Sequence, residues 1–405
     1  MNTGLSRRSF LTRSALIGCS AAASPLLTPI SMAAAPWDMR LVVIILRGGL
    51  DGLDAVRPYG DPAFAEWRPT LGTAKGELGP DLDGFFGLHP ALGDLMPLWQ
   101  AGDLAFTHAV STPYRDKRSH FDGQDLLEAG TPRMAGVRDG WLNRMLLQVP
   151  GVEAHTAFAL GQGDVKVLLG NAPVSEWVPG ADMEISPQAI RLSERIMEDD
   201  PAFHAAFSEA LMLSEIENVP IRGQDALKAL QKDMKVAAGK GSHVRVSQFA
   251  AEQLRKDTRV VAFSLNGWDT HNNQKRTLAP ALKRLAGSIV ALRDGVGPEI
   301  WQKTAILAMT EFGRTVRQNG TGGTDHGTGG ALLMAGGAIR GGQVHGPWPG
   351  LDETSLYKRQ DLMPTGDVRA PAAWIMRAMA GLDRGTLEST VFPGLDMGSD
   401  AGYLA

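Results

Sequence analysis

Short, largely apolar runs recur along the chain, and each is followed by glycine or by polar residues. Five of them are predicted strands, at residues 41–46, 104–110, 259–265, 304–310 and 331–335. A continuous rather than alternating apolar pattern is typical of strands that are buried on both faces, as in parallel sheets. We therefore expect a central sheet that is mostly parallel.

Segments with helical periodicity separate these strands. Residues 244–254 and 278–292 repeat apolar side chains at intervals of three and four. Strands that alternate with helices of this length predict βαβ units. In open sheets of this kind ligands bind beyond the carboxyl ends of the strands, so the polar residues that follow the apolar runs are the first candidates for function.

The first 35 residues have the layout of an export signal. The arginine pair Arg7 and Arg8 precedes a modest apolar stretch, and small residues end the segment. This order is typical of a twin-arginine signal peptide. We expect the twin-arginine export machinery to deliver residues 36–405 to the periplasm or the exterior. The residues before Cys19 also resemble a lipoprotein cleavage box, which leaves a lipid anchor on Cys19 as an alternative.

Composition narrows the class of protein. The chain has 405 residues, enough for one large domain, which we predict over 36–405 with an acidic, helix-rich insertion at about 185–240. The net charge is −4, and loss of a signal holding three arginines and no acid takes it to about −7, which does not favour a nucleic-acid partner. The mature chain holds no apolar run long enough for a transmembrane segment. The single cysteine excludes an internal disulfide and a cysteine-rich metal site.

Acidic residues and histidines follow several of the predicted strands. Asp, Glu and His without Cys form the ligand set of a hard or borderline divalent cation, such as zinc, magnesium, manganese or calcium. The candidate ligands are Asp51, Asp269, His271, Glu311, Asp325, His326 and His345. Plainer interpretations stay open: Asp51 as a turn residue, the adjacent Asp-His as a hydrogen-bonded loop pair, and Glu311 in an ion pair with Arg314.

A candidate catalytic group lies in a polar segment after the second strand. Ser119, with an acid three residues later, has the pattern of a helix start. A hydroxyl there could attack a phosphoryl or sulfuryl centre while the helix amides hold its oxygens. Arg115 and Arg118 add positive charge for a substrate oxyanion, and His120 completes the set. Ser111 is the second candidate nucleophile; alternatively, Ser119 only caps the helix and His120 packs beside it.

Together these motifs resemble the bacterial domain-of-unknown-function 1501 family over essentially the whole mature chain. The segments that carry the resemblance are the export signal and residues 46–52, 118–122, 267–271, 310–315 and 322–327. That family is similar to the alkaline phosphatase and sulfatase superfamily. The resemblance implies an alkaline-phosphatase-like fold, a three-layer α/β/α sandwich with one or two metals at the strand ends.

The resemblance also implies roles for single positions. Asp51 resembles a ligand after the first strand, and Ser119, or else Ser111, takes the position of the nucleophile. Asp269 with His271 resembles one metal site. Asp325 and His326 resemble the ligands of a second metal site. Glu311 and His345 are implied as additional ligands.

We therefore expect an exported, metal-dependent hydrolase that acts on small anionic phosphate or sulfate esters. The rival is a catalytically silent periplasmic binding or assembly protein on the same fold. The chain has nine tryptophans, which either form a surface for a glycan or a protein partner or belong to the core. Bound metal and ester hydrolysis distinguish the two.

Overall fold

The computed structural model describes residues 37–72, 78–115, 117–133, 138–161, 165–179 and 241–405. The predicted signal peptide with Cys19 and the predicted insertion at about 185–240 lie outside these residues. No helix in the described ranges is both long enough and apolar enough to cross a membrane.

A central sheet dominates the described part of the chain, and all five predicted strands belong to it. Its strand order is β10-β4-β9-β8-β1-β7-β5-β6, with β11 beside β4, while β2 and β3 form a separate antiparallel pair. The strands are β1 (Arg40–Arg47), β2 (Val56–Arg57), β3 (Gly87–Leu88), β4 (Leu104–Ser111), β5 (Ala157–Leu160), β6 (Ser175–Trp177), β7 (Val260–Asn266), β8 (Thr304–Thr310), β9 (Gly330–Ala335), β10 (Gln343–His345) and β11 (Gly366–Asp367).

One strand of the central sheet runs against the others. β1 pairs in parallel with β7 and β8, whereas β9 pairs antiparallel with both β8 and β4. The mostly parallel sheet is therefore confirmed. Because β9 is reversed, the loop that precedes it lies at the same edge as the carboxyl ends of β1, β7 and β8.

Helices cover both faces of the sheet. Those of the described residues are α1 (Gly52–Ala55), α2 (Phe64–Trp67), α3 (Met96–Ala101), α4 (His120–Ala129), α5 (Trp141–Leu147), α6 (Ser242–Leu254), α7 (Gln274–Trp301), α8 (Arg369–Ala380) and α9 (Arg384–Thr386). The two predicted helices fall within α6 and α7. The α7 helix is interrupted at Gly297, which has non-helical dihedrals and precedes Pro298.

Strand β1 shows why the domain needs three layers. Val42, Ile44 and Leu46 pack in the core that includes α6 and α7. The alternate residues 41, 43 and 45 pack in a second core with α5 and α8. Successive side chains of a strand point to opposite faces, so a strand that is apolar at every position requires cover on both. The expected α/β/α sandwich is confirmed.

Glycines let the strand-end loops approach each other. Gly48 follows β1 with φ 123°, and a Cβ there would lie 2.7 Å from the Asp269 backbone nitrogen. Gly327 follows the Asp-His pair, and a Cβ there would lie 2.4 Å from the Arg314 carbonyl carbon. Any larger residue would push these loops apart, so the glycines set the spacing of the polar residues beside them.

Candidate metal centre

Four side chains from three parts of the chain meet at the polar edge of the sheet. Asp269 and His271 follow β7, His326 lies in the loop before β9, and His120 is the first residue of α4. The reversed β9 brings His326 to the strand ends. The sequence predicts Asp269, His271 and His326 as ligands and His120 as a catalytic residue.

Three imidazole nitrogens surround one carboxylate oxygen. Asp269 Oδ1 lies 3.0 Å from His271 Nε2, 3.4 Å from His120 Nε2 and 3.5 Å from His326 Nε2. The ligand atoms of His120, Asp269 and His326 all lie within 4.8 Å of one another. His271 adjoins that trio, with its Nε2 2.9 Å from His326 Nε2. The four residues are called the His-Asp cluster below.

The other ring nitrogen of each histidine already has an acceptor. His120 Nδ1 lies 2.8 Å from Glu311 Oε1, and His271 Nδ1 lies 3.1 Å from Asp325 Oδ1. His326 Nδ1 lies 2.8 Å from the backbone carbonyl of Arg118. Each acceptor requires a hydrogen on Nδ1, so each neutral ring turns the lone pair of Nε2 towards the common point.

This arrangement fits a cation. Two neutral rings with lone pairs on facing nitrogens repel each other at the 2.9 Å that separates His271 from His326, unless a proton or a metal ion lies between them. The buried Nε2 of His120 has no hydrogen-bond partner among the described residues. Histidines that bind a metal through one nitrogen and donate from the other to a carboxylate or a carbonyl are the usual pattern of metal sites.

Glu311 lies behind His120 and is fully buried. Its Oε1 accepts hydrogen bonds from the backbone N–H of Gly48 at 2.9 Å and from Gln124 Nε2 at 3.0 Å, in addition to His120. Burial favours the neutral acid, yet the hydrogen bonds from His120 and Gln124 lower the pKa of Glu311 below its ordinary value. The structure thus places this predicted ligand as the partner of a histidine, outside the four-residue cluster.

The carboxylates of Glu311 and Asp269 both affect the pKa of His120. Burial disfavours its charged form, but the hydrogen bond and charge of Glu311, together with Asp269, raise the pKa of His120 above its ordinary value. Burial also opposes ionisation of Asp269, and the hydrogen bond from Arg314 outweighs it and lowers the pKa of Asp269. The centre therefore holds its acids ionised.

Arg314 is a site residue that the sequence suggests only as a partner of Glu311. Its guanidinium is buried and donates to Asp269 Oδ1 at 2.6 Å, not to Glu311. It also donates to four backbone carbonyls from three loops, those of Gly48, Gly49, Trp268 and Thr324. One side chain thus ties together the loops after β1 and β7 and the loop before β9.

Asp325 faces outward from the cluster. Its side chain is 52% exposed, and its Oδ1 accepts a hydrogen bond from Asn319 Nδ2 at 3.1 Å as well as contacting His271. Burial raises its pKa, but the His271 and Asn319 hydrogen bonds prevail, and the pKa of Asp325 is lowered. Like Glu311, it is placed as the partner of a ligand ring.

Two predicted ligands lie apart from the cluster. Asp51 is buried in an ion pair with Arg68, at 2.6 Å, and accepts a hydrogen bond from Gln274 at 2.5 Å. His345 ends the outermost strand β10, and its ring packs 5.0 Å from that of Tyr403. The structure brings neither one to the three histidines. The reason for Asp51 is electrostatic, since a buried carboxylate requires the buried guanidinium that adjoins it.

Ser119 is the N-cap of α4, as its sequence pattern predicts. Its hydroxyl accepts the Asp122 N–H at 3.4 Å, which is a long hydrogen bond. Ser119 lies between Arg118, whose carbonyl accepts from His326, and His120. The alternative nucleophile, Ser111, is buried at the end of β4, and its hydroxyl has no hydrogen-bond partner within the described ranges.

The two predicted anion-steering arginines have protein partners. Arg115 donates to the backbone carbonyls of Thr112 and Tyr114. Arg118 lies 3.5 Å from Asp361, with 40% of its side chain exposed. Arg118 is therefore the more accessible to a ligand, and its backbone already contacts the cluster.

A family model described as "Protein of unknown function (DUF1501)" matches residues 117–370, which is more than half of the chain. The chain belongs to this family. No curated protein matches its sequence.

The solved structures that match this chain share little sequence with it. They include the PsFucS1 sulfatase from Pseudoalteromonas sp., with 12% identity, 91% of this chain and 73% of that chain covered, and a TM-score of 0.40. The lipoteichoic acid synthase LtaP from Listeria monocytogenes has 8% identity, coverage of 88% and 76%, and a TM-score of 0.37. A TAB5 alkaline phosphatase mutant with Mg bound has 8% identity, coverage of 87% and 100%, and a TM-score of 0.37. These likenesses are too distant to carry an argument about function.

Proposed function

We propose that this protein is an exported, metal-dependent hydrolase of phosphate or sulfate esters. The observation that carries the proposal is the convergence of three histidine Nε2 atoms on Asp269 Oδ1, each with its Nδ1 engaged elsewhere. This donor set fits a divalent cation, and the exposed side of Asp269 leaves the site open to a ligand.

The donor set favours zinc over the other candidate metals. His120, His271 and His326 offer imidazole nitrogens, which suit zinc, whereas calcium and magnesium prefer oxygen ligands. Asp269 adds one carboxylate. A divalent ion held by these four residues would polarise the ester and neutralise charge on the transferred group.

The protein's own residues supply the remaining functions. Glu311 and Asp325 keep the hydrogens of His120 and His271 on Nδ1, which orients both rings. Ser119, at the N-terminus of α4, or a water molecule would attack the phosphorus or sulfur, and the alcohol oxygen of the ester would leave with the proton that the attacking hydroxyl or water gives up. If Ser119 attacks, a water molecule then hydrolyses the serine ester, which releases phosphate or sulfate and restores the hydroxyl. Arg118 would hold an oxygen of the substrate.

Export fits this proposal. The arginine pair and the small residues of the first 35 positions support twin-arginine transport, which carries folded proteins and would allow the centre to form before export. A periplasmic or secreted location then follows.

Metal analysis and ester hydrolysis test the proposal together. We expect purified protein to contain stoichiometric zinc and to hydrolyse para-nitrophenyl phosphate or sulfate. Asp269→Asn and His326→Ala should lose metal and at least about a hundredfold in kcat/KM. Asp352→Asn, an exposed acid that caps no helix through its side chain, is the matched control and should change neither. Metal-free protein without hydrolysis would instead support the silent binding protein.

A further inference from the structure

A cleft opens beside the His-Asp cluster. Its volume is about 370 Å³, and Asp325 forms part of its wall. The same carboxylate contacts His271 Nδ1 at 3.1 Å. A molecule that fills the cleft therefore lies one side chain away from a ring of the proposed metal centre.

The cleft is positively charged. Arg317, Lys358 and Arg359 line it, and Asp325 is the acid among its lining residues. The exposed Arg359 also pairs with Glu353, at 2.9 Å, outside the cleft wall. Gln318, Asn319 and Gln360 are among the other lining residues, and the side-chain amides of Gln318 and Asn319 already donate hydrogen bonds within the protein. The cationic side chains are therefore the donors that the cleft offers to carboxylate, sulfate or phosphate oxygens.

One of the cations is held in place by an aromatic ring. The Arg317 guanidinium lies over the ring of Trp67, 4.1 Å from its centroid. Trp67 is itself fixed by a hydrogen bond from its indole N–H to the carbonyl of Leu351 at 2.8 Å. A stacked guanidinium loses less conformational freedom when it binds an anion, so Arg317 is prepared for that role.

The other two cations lie on a strained turn. Lys358 and Arg359 are consecutive non-glycine residues with φ of 51° and 56°, in the left-handed region. Residues with a Cβ rarely adopt this conformation, and where they do the strain is often part of a ligand-binding site. The turn is closed by the Tyr357 N–H, which donates to the Asp361 carbonyl at 2.8 Å.

This turn is anchored to the metal centre. Asp361 accepts a hydrogen bond from Thr328, at 2.8 Å, two residues after His326. It also lies 3.5 Å from Arg118, whose carbonyl binds the His326 ring. Consequently the basic turn and the His-Asp cluster are held in fixed relation by the same short segments.

We propose that this cleft binds flanking anionic groups of the substrate, so that the hydrolysed ester is one group of a multiply anionic molecule. The link to the ester rests on the proposed function, whereas anion binding in the cleft does not.

Calorimetry on chelator-treated protein tests the cleft alone. The probe is benzenetrisulfonate, with benzenesulfonate as its singly charged counterpart. We expect the trisulfonate to bind at least about tenfold more tightly, and the Arg317→Gln/Lys358→Asn variant to lose this preference. Asparagine is chosen because it tolerates the left-handed conformation. Asp269→Asn, and Lys256→Gln at an exposed residue just after α6, should bind as the unaltered protein does.

Inhibition of the metal-loaded protein separates the two proposals. Because the cleft and the His-Asp cluster are proposed to hold one substrate, benzenetrisulfonate should compete with para-nitrophenyl phosphate, and the double variant should escape this inhibition. Equal binding of both probes, or unchanged binding by the double variant, would overturn the anion-binding cleft. Hydrolysis that ignores a bound trisulfonate would show that the cleft does not serve the substrate. Absence of hydrolysis with intact trisulfonate binding would overturn the proposed function and leave the cleft standing.

Discussion

Arg314 donates a hydrogen bond to Asp269 Oδ1 at 2.6 Å, from a guanidinium that is almost completely buried. The same side chain binds backbone carbonyls of three strand-end loops. It thereby fixes the one carboxylate on which the histidine rings converge, and it does so with a charge that compensates the buried and half-buried acids nearby.

Arg314→Lys should weaken both the fold and the metal centre. A lysine ammonium cannot reproduce the planar fork that serves five oxygens, so we expect a loss of about 3 kcal/mol in the free energy of unfolding. Zinc affinity should fall as well, because Asp269 is no longer held. Urea denaturation and competition with a zinc chelator measure the two effects. Arg293→Lys, at a half-buried arginine paired with the exposed Asp294, is the control and should change neither; a similar loss there would contradict the assignment.

Glu311→Gln tests the role of the acid behind His120. Glutamine keeps the shape of the side chain but removes the charge that holds the hydrogen on His120 Nδ1. We expect zinc affinity to fall by about 10- to 100-fold while the protein stays folded. Chelator competition measures the affinity.

The control for Glu311 is an equally buried acid. Glu128 is fully buried and pairs with Arg47 at 2.8 Å. Glu128→Gln should lower the unfolding free energy and leave zinc affinity unchanged. If Glu311→Gln left zinc affinity unchanged as well, a structural role would describe Glu311 better.

The order of elements could be predicted from the sequence because a buried strand is recognisable from the apolar pattern of its own residues. Residues 41–46 and 305–309 are apolar at every position, and both lie in central strands. The direction of β9 could not be predicted, since its apolar run reads like those of its parallel neighbours. Direction depends on how its ends connect across the sheet, which no local pattern records.

The same limit applies to the site. Asp269, His271 and His326 stand in polar runs at strand ends and could be proposed from sequence. The role of His120 depends on Glu311, which lies 191 residues further along the chain. Asp51 resembles a ligand in sequence, but Arg68, 17 residues later, pairs with it in the fold. Partners at such distances are set by tertiary structure.

A buried histidine outside the centre should make stability depend on pH. His108 is buried, its Nε2 lies 2.7 Å from the Val56 carbonyl, and burial lowers its pKa to about 4. The unfolded chain takes up this proton near pH 6.5. The stability that neutral His108 contributes is therefore fully present above pH 6.5. It is lost as the pH falls towards 4, by about 3 kcal/mol in total.

His108→Gln isolates that contribution. Glutamine can still donate to the Val56 carbonyl but does not titrate, so the fall in unfolding free energy between pH 6.5 and 4 should shrink by about 3 kcal/mol. Urea denaturation across this range measures it. An identical slope in His108→Gln would show that His108 is not the group responsible.

Ser119 has two candidate roles, and two substitutions separate them. As an N-cap it stabilises α4, so Ser119→Ala should cost about 1 kcal/mol of unfolding free energy. Asparagine is an equally good N-cap without a hydroxyl, so Ser119→Asn should restore the stability. If Ser119 is the nucleophile, both variants lose ester hydrolysis by orders of magnitude while retaining zinc. If it only caps the helix, Ser119→Asn hydrolyses esters as the unaltered protein does. Urea denaturation, zinc content and kcat/KM on the same preparations decide between these outcomes.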